Sequence, residues 1–417
     1  MSIQHQKAII ISLFCLFLLE FFHLSIYPYD LITGQLRIIY FLPFFLLGKG
    51  KWLSGTIIGK KLFVCYFVFA ILNIITCYYF RHQNIIISLI AWNSLFYVFY
   101  YLIFRTWRQP IELWENVIEF LFVIIIILFA LKNIFIDWDF IKTDLSYERL
   151  EIEKRVRIFS DAILELGYLY SLNKYLVKSQ NKYLILVILA ALFIFLQGFR
   201  MMIVVGLFIT FVMLFSIKKM STSKKIGFVA ISLFTIFIAM QLSIVNDRMD
   251  EIVKRNENAN FSNENYVRVF DIQYTYTEFF KNKAELILGA GRTIFFDEND
   301  SKSSSRGLPE YAKERIRLAT DFHYYPVDLG FLGLSWESGI PFTIVMLLMF
   351  LYLFAIKVDR QYYYLKYYGL YMVLIGSTNA QGYYQSNLVF LAIVYTIAEL
   401  ANKSYQHRSL SFQHLIS

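Results

Sequence analysis

The chain is poor in the residues that equip a soluble domain. Its 417 residues include only three cysteines, Cys15, Cys65 and Cys77, each inside an apolar run. An odd, scattered set of this kind argues against a disulfide framework. No metal-ligand spacing of His, Cys, Asp or Glu occurs along the chain, so neither a metal nor a cofactor is expected. Charged residues make up 17%, against roughly 25% in soluble proteins. The first apolar run lacks a small-x-small cleavage site, so residues 8–22 read as part of a retained span and not a removed signal. No internal repeat of solenoid or transporter scale is present.

What the chain has in abundance is apolar surface. Hydrophobic residues are 58% of the total and the mean hydropathy is +0.52. The bias toward Phe, Ile, Tyr, Asn and Lys is what an AT-rich gene produces, so the aromatic count alone carries no functional weight. Runs of about 20 apolar residues flanked by charge are the signature of an all-α polytopic membrane protein. Twelve transmembrane spans are expected, at 8–26, 36–48, 62–80, 85–104, 117–136, 158–177, 183–197, 201–217, 226–244, 339–357, 365–380 and 387–402. The chain therefore divides into spans one to nine (1–244), a long polar loop (245–338), and spans ten to twelve with a tail (339–417).

Net charge is +9, which in such a chain reports topology and not a nucleic-acid partner. Four Lys lie in 48–61, four in 218–225, three basic residues in 357–366, and two each in 178–182 and 105–116. Twelve spans put all of these on one side. The opposite loops 81–84 and 381–386 carry one basic residue and none. The exception is 137–157, with five basic and six acidic residues. By the positive-inside rule both termini are cytoplasmic and the 245–338 loop is periplasmic. Within that loop 264–280 reads as an amphipathic helix and 309–322 as a strongly charged one.

One charge stands out. Arg200 lies in an apolar stretch of 35 residues between Lys182 and Lys218. As one helix this would be about 52 Å long, against a hydrocarbon core of about 30 Å. The stretch must turn, and "QGFR" (197–200) with Gly198 is the place. Each arm is short, so the turn sits shallow, near the outer surface. Arg200 either snorkels to headgroups or reaches into an outward cavity.

Four further sites carry chemistry. Arg268 opens the amphipathic loop helix, free to bind an anion or to pair with Asp271. Arg292 follows Gly289 and Gly291, either an ordinary turn or one whose N–H groups admit an anion. His323 stands where the loop returns to the bilayer, as a candidate base or as an interfacial ring among Tyr324, Tyr325 and Pro326. Asp328 follows, as a turn acid or a polar ligand. Arginine suits diphosphate because its planar fork donates two hydrogen bonds at once. Tyrosine rings suit sugar faces.

This order of features resembles the O-antigen polymerase (Wzy) and O-antigen ligase (WaaL) superfamily over residues 183–357. "QGFR" resembles the family's small-residue turn ending in Arg. Arg268, then Gly289 and Gly291, resemble its loop-helix Arg and Gly-x-Gly. "HYYPVDLGFLG" (323–333) resembles its His, acid and Gly-x-x-Gly. The chain departs from the pattern at Phe199, where the family has Ser, and at Tyr324, where it has Asn.

The resemblance implies a GT-C-like membrane fold and a metal-independent glycosyltransferase. It implies undecaprenyl-diphosphate-linked glycans as donor and acceptor. Arg200 and Arg268 would bind the diphosphate leaving group and His323 would act as base. Arg292, Gly289, Gly291, Tyr324, Tyr325 and Asp328 would contact substrate. The expected activity is polymerisation of repeat units into O-antigen, capsule or exopolysaccharide at the inner membrane, with a chain-length regulator as a candidate partner. A ligase that transfers glycan to lipid A-core is the alternative within the enzyme class. A lipid-linked oligosaccharide flippase and a non-enzymatic assembly protein are the alternatives outside it.

Overall fold

The computed structural model describes residues 3–19, 60–135, 162–197, 200–216, 282–291, 329–377 and 385–416, with Ile272, Tyr276 and Phe280. Every regular element among them is helical. In chain order these are α1 (Ile3–Leu18), α2 (Lys60–Arg81), α3 (Ile85–Trp92), α4 (Tyr100–Thr106), α5 (Ile111–Ile134), α6 (Ala162–Lys178) and α7 (Asn181–Gln197). They continue with α8 (Arg200–Ser216), α9 (Lys283–Leu288), α10 (Phe331–Ser338), α11 (Ile340–Ala355), α12 (Tyr363–Gly376) and α13 (Gln385–Ile416). Two 3-10 stretches, Asn93–Phe99 and Arg360–Tyr362, join α3 to α4 and precede α12.

Among the described residues, three segments are long and apolar enough to cross a membrane: Lys61–Arg81, Ile111–Ile134 and Asn387–Arg408. Shorter apolar helices include Asn181–Gln197, Met201–Ser216 and Ile340–Ala355. Large apolar side chains remain exposed in stripes. On α2 they include Phe67, Ile71, Ile75 and Tyr79; on α8 they are Val204, Leu207, Phe208, Phe211 and Phe215. Stripes of this size on water would aggregate, and lipid is the solvent that covers them. Together with the three candidate spans they mark a membrane protein.

The core lies around α6 and α13. Every residue of α6 from Ala162 to Lys174 is buried, as is α13 from Asn387 to Ala398. A helix buried on all sides is an interior helix. α6 packs on α5, α7 and α12, while α13 packs on α4 and the Asn93–Phe99 stretch. Glycine brings two helix pairs close, α6 with α5 and α12 with α11. A side chain at Gly167 would meet the Phe122 ring, and one at Gly369 would meet the Phe350 carbonyl and Leu353. Small residues serve this purpose in membrane bundles, where close van der Waals contact replaces hydrophobic drive.

Polar contacts sort the helix ends into two sets. At one end Glu115 of α5 meets Lys174 of α6, Asn173 donates to the Gln361 carbonyl at 2.8 Å, and Arg105 of α4 meets Glu399 of α13. We call this the basic end, since it gathers the segments 105–116, 178–182 and 357–366. At the other end Arg81 of α2 meets Glu285 of α9. The ring of Phe331 lies where a side chain at Gly376 of α12 would stand.

The α7–α8 break falls at the expected turn, with helices ending at Gln197 and resuming at Arg200. Two of the expected spans differ in local detail. Within 85–104 the seven residues Asn93–Phe99 wind as 3-10, and the last helix continues beyond the expected span 387–402, running 32 residues to Ile416. The expected spans 36–48 and 226–244 and the loop helix 309–322 lie outside the described residues, as does 264–280 apart from the three isolated positions.

Candidate functional site

The Arg81 end is built from two short helices that finish against each other. α9 starts at Asn282, whose side chain accepts the Glu285 N–H at 2.9 Å as an N-cap. It ends at Gly289, with φ +83°, and α10 ends at Gly339, with φ +92°. These are conformations for which glycine is the ordinary choice. The two caps interlock: a side chain at Gly289 would stand 2.4 Å from the Gly339 nitrogen, and one at Gly339 would stand 2.6 Å from the Leu288 carbonyl.

Helix ends leave carbonyls without an intrahelical partner. Asn73 of α2, wholly buried, resolves this for both helices. Its Nδ2 donates to the Leu288 carbonyl at 2.5 Å and the Glu337 carbonyl at 2.9 Å, while its Oδ1 accepts from Trp92 Nε1 at 3.1 Å. Two turns further along α2, Arg81 grips Glu285 with both prongs, Nε to Oε1 at 2.5 Å and Nη2 to Oε2 at 2.9 Å. The two side chains are 1% and 0% exposed. A buried bidentate pair of this geometry is specific in direction as well as strong.

The Gly-Ala-Gly turn is consumed by this platform. The N–H groups of Gly289, Ala290 and Gly291 donate to the carbonyls of Glu285, Trp336 and Glu337 at 2.8, 2.8 and 3.0 Å. A side chain at Gly291 would stand 2.1 Å from Cys77 Sγ. The expected anion cradle is therefore not what these three N–H groups form; they anchor the loop to the bundle. Among the described residues, Gly291 closes against Cys77 and Glu337, and Leu329 stands two residues before Phe331, whose ring meets Gly376 at this same end.

Of the expected site residues, Gly289 and Gly291 belong to this platform. Arg200 is described in its backbone alone. Tyr168 of α6 shares a 2.6 Å hydrogen bond with Thr210 of α8, and α8 packs along α12. Helix direction puts the start of α8 at the end where Gly376 and Phe331 meet, which is the Arg81 end. Beside it Gln197 is wholly buried, and neither end of its amide has a hydrogen-bond partner among the described residues. Arg268, Arg292, His323, Tyr324, Tyr325 and Asp328 lie outside the described residues.

The sequence reading missed the residues that organise both ends. In the sequence Arg81 reads only as a loop charge, and Asn73 and Glu285 carry no local signal. At the basic end Lys174 binds both oxygens of Glu115 at 2.6 and 2.7 Å, Tyr364 donates to the same carboxylate at 3.1 Å, and the ammonium lies 5.3 and 5.7 Å from the Tyr170 and Tyr362 ring centres. Burial, then the Glu115 charge, pushes the Tyr362 phenol up to about 12, so its ring stays neutral beneath the cation. The available signal was a buried-helix charge, which defaults to pairing or function; the partner is unreadable without long-range contacts.

No protein-family model, curated protein or solved structure matches the chain.

Proposed function

We propose that the protein polymerises undecaprenyl-diphosphate-linked oligosaccharide repeat units into a surface polysaccharide, on the outer side of a bacterial inner membrane. In this reading the twelve-span, GT-C-like bundle presents its Arg81 end to the periplasm. Arg200 and Arg268 neutralise the diphosphate that departs as the acceptor hydroxyl attacks the anomeric carbon. His323 takes the proton of that hydroxyl. No metal is required, because the guanidinium groups carry the charge that forms on the leaving group.

The observation that supports it best is that Gly291 and Leu329, the described residues on either side of 292–328, both belong to the end of the bundle where α8 begins with Arg200. In this reading Arg292 and His323 join Arg200 at that end, as a diphosphate site assembled from several segments requires. Mutation of the anchoring turn should accordingly impair activity even though its N–H groups face protein carbonyls.

The test is the glycan made by a deletion strain carrying Arg200→Ala or Arg268→Ala. The polymerase reading expects surface glycans of single repeats and loss of long chains. Unaltered chain length at normal protein levels contradicts it. Loss of the single-repeat product as well would reassign the protein to ligation or flipping.

A further inference from the structure

At the basic end a cavity of about 530 Å³ opens between α4, α5 and α13, a size that holds a small ligand or a headgroup. The geometry points to a phosphate-binding site in this cavity, distinct from the proposed polymerase site at the opposite end and independent of that reading. Its ligand is a phosphate group, either borne on a lipid headgroup or free in the cytosol.

The charge balance favours an anion. Arg105, Arg108 and Lys403 line the cavity with one carboxylate, Glu399. That carboxylate is already saturated: it accepts from Tyr101 Oη, from Arg105 Nε at 2.5 Å and Nη2 at 2.9 Å, and from Lys403 Nζ at 2.5 Å. Arg108 is exposed at the mouth and makes no ion pair among the described residues. An excess of cations around a concave wall focuses field toward an incoming anion.

A second observation points the same way. Trp114, which also lines the cavity, is wholly buried, and its Nε1–H has no acceptor among the described residues. The indole N–H can only donate, and a buried donor without a partner is a rare thing in a folded protein. Its ring is fixed by a 6.0 Å stack with Trp107 at an interplanar angle of 6°. An oxygen acceptor entering the cavity would satisfy it, and phosphate brings several.

The backbone at the mouth is also unusual. Arg108 has φ +48°, in the left-handed region that a branched or long side chain seldom takes. It sits in the short link between α4 and α5, where the Gln109 side chain donates to the Trp107 carbonyl at 2.7 Å and holds the turn. Strain retained in a tight connection is frequent at binding sites.

The test uses the full-length protein in neutral detergent, heated with and without two probes: inorganic diphosphate, and mixed micelles containing phosphatidylglycerol, with phosphatidylcholine micelles as the neutral reference. A phosphate-bearing probe should raise the unfolding midpoint. Arg108→Gln should weaken half-saturation about tenfold, the effect of losing one charged contact. Trp114→Phe, which keeps the ring and deletes the donor, should weaken it about threefold or more. Protection by phosphatidylglycerol alone assigns a lipid headgroup; protection by diphosphate as well assigns a free phosphate. Absence of protection by either probe, or protection of equal strength in both variants, overturns the site.

Discussion

Arg81 and Glu285 stand 204 residues apart in the chain and meet as a fully buried bidentate pair. The contact joins the end of a membrane helix to the segment from which the proposed catalytic loop departs. Because the pair is buried, its worth shows mainly when one partner is removed. Arg81→Ala or Glu285→Ala leaves an uncompensated charge and should cost about 3–5 kcal/mol. Replacing both, as Arg81→Met with Glu285→Leu, should recover most of that loss. Denaturation midpoints in detergent measure both, and a double variant as unstable as the singles would contradict a simple ion-pair role.

The interlocked caps make a prediction about glycine. Gly289→Ala and Gly339→Ala place a side chain at positive φ and into backbone at 2.4 and 2.6 Å. Each should destabilise by about 2 kcal/mol or more. Gly206→Ala is the matched contrast, since nothing lies within 4 Å of its new methyl. Within α8 that change should be neutral or stabilising by about 0.5–1 kcal/mol. Equal effects at the three positions would show that the caps do not lock α9 to α10.

Two lysines near one helical hairpin separate buried from exposed ion pairs. Lys174 binds Glu115 with side chains 2% and 11% exposed, whereas Lys182 binds Glu119 with 56% and 26% exposed. Lys174→Ala should therefore cost about 3–5 kcal/mol. Lys182→Ala should cost less than about 1 kcal/mol and become smaller still at high salt. Thermal unfolding at low and high ionic strength discriminates the two.

Orientation is open to labelling. With the native cysteines replaced, Lys283→Cys on α9 and Lys357→Cys after α11 are both exposed positions. A membrane-impermeant maleimide should modify the first in intact spheroplasts and the second only after permeabilisation. The reverse pattern would invert the topology and remove the periplasmic assignment of the Arg81 end.

Legibility in the sequence followed the range of the physics involved. Hydropathy and length located α2, α5 and the break between Gln197 and Arg200, because each depends on nearby residues alone. Short-range winding was less legible: nothing in "NSLFYVF" distinguishes 3-10 from α before Trp92 and Phe96 are packed. The Gly-x-Gly was noticed, but its N–H groups are occupied by Trp336 and Glu337, partners that no local pattern announces. Arg81 and Glu285, Asn73 and Leu288, and Arg105 and Glu399 are likewise long-range pairings. A single sequence shows none of these partners.

The central claim is chemical, and reconstitution tests it most directly. Purified protein in proteoliposomes, supplied with its own undecaprenyl-diphosphate-linked repeat unit, should yield a ladder of polymers and free undecaprenyl diphosphate. The ladder should persist in EDTA, since arginine and not a metal neutralises the leaving group, and it should vanish in Arg200→Ala and Arg268→Ala protein that folds normally. Repeat units left unextended by the wild-type protein, or a ladder that both variants make equally well, would contradict the account.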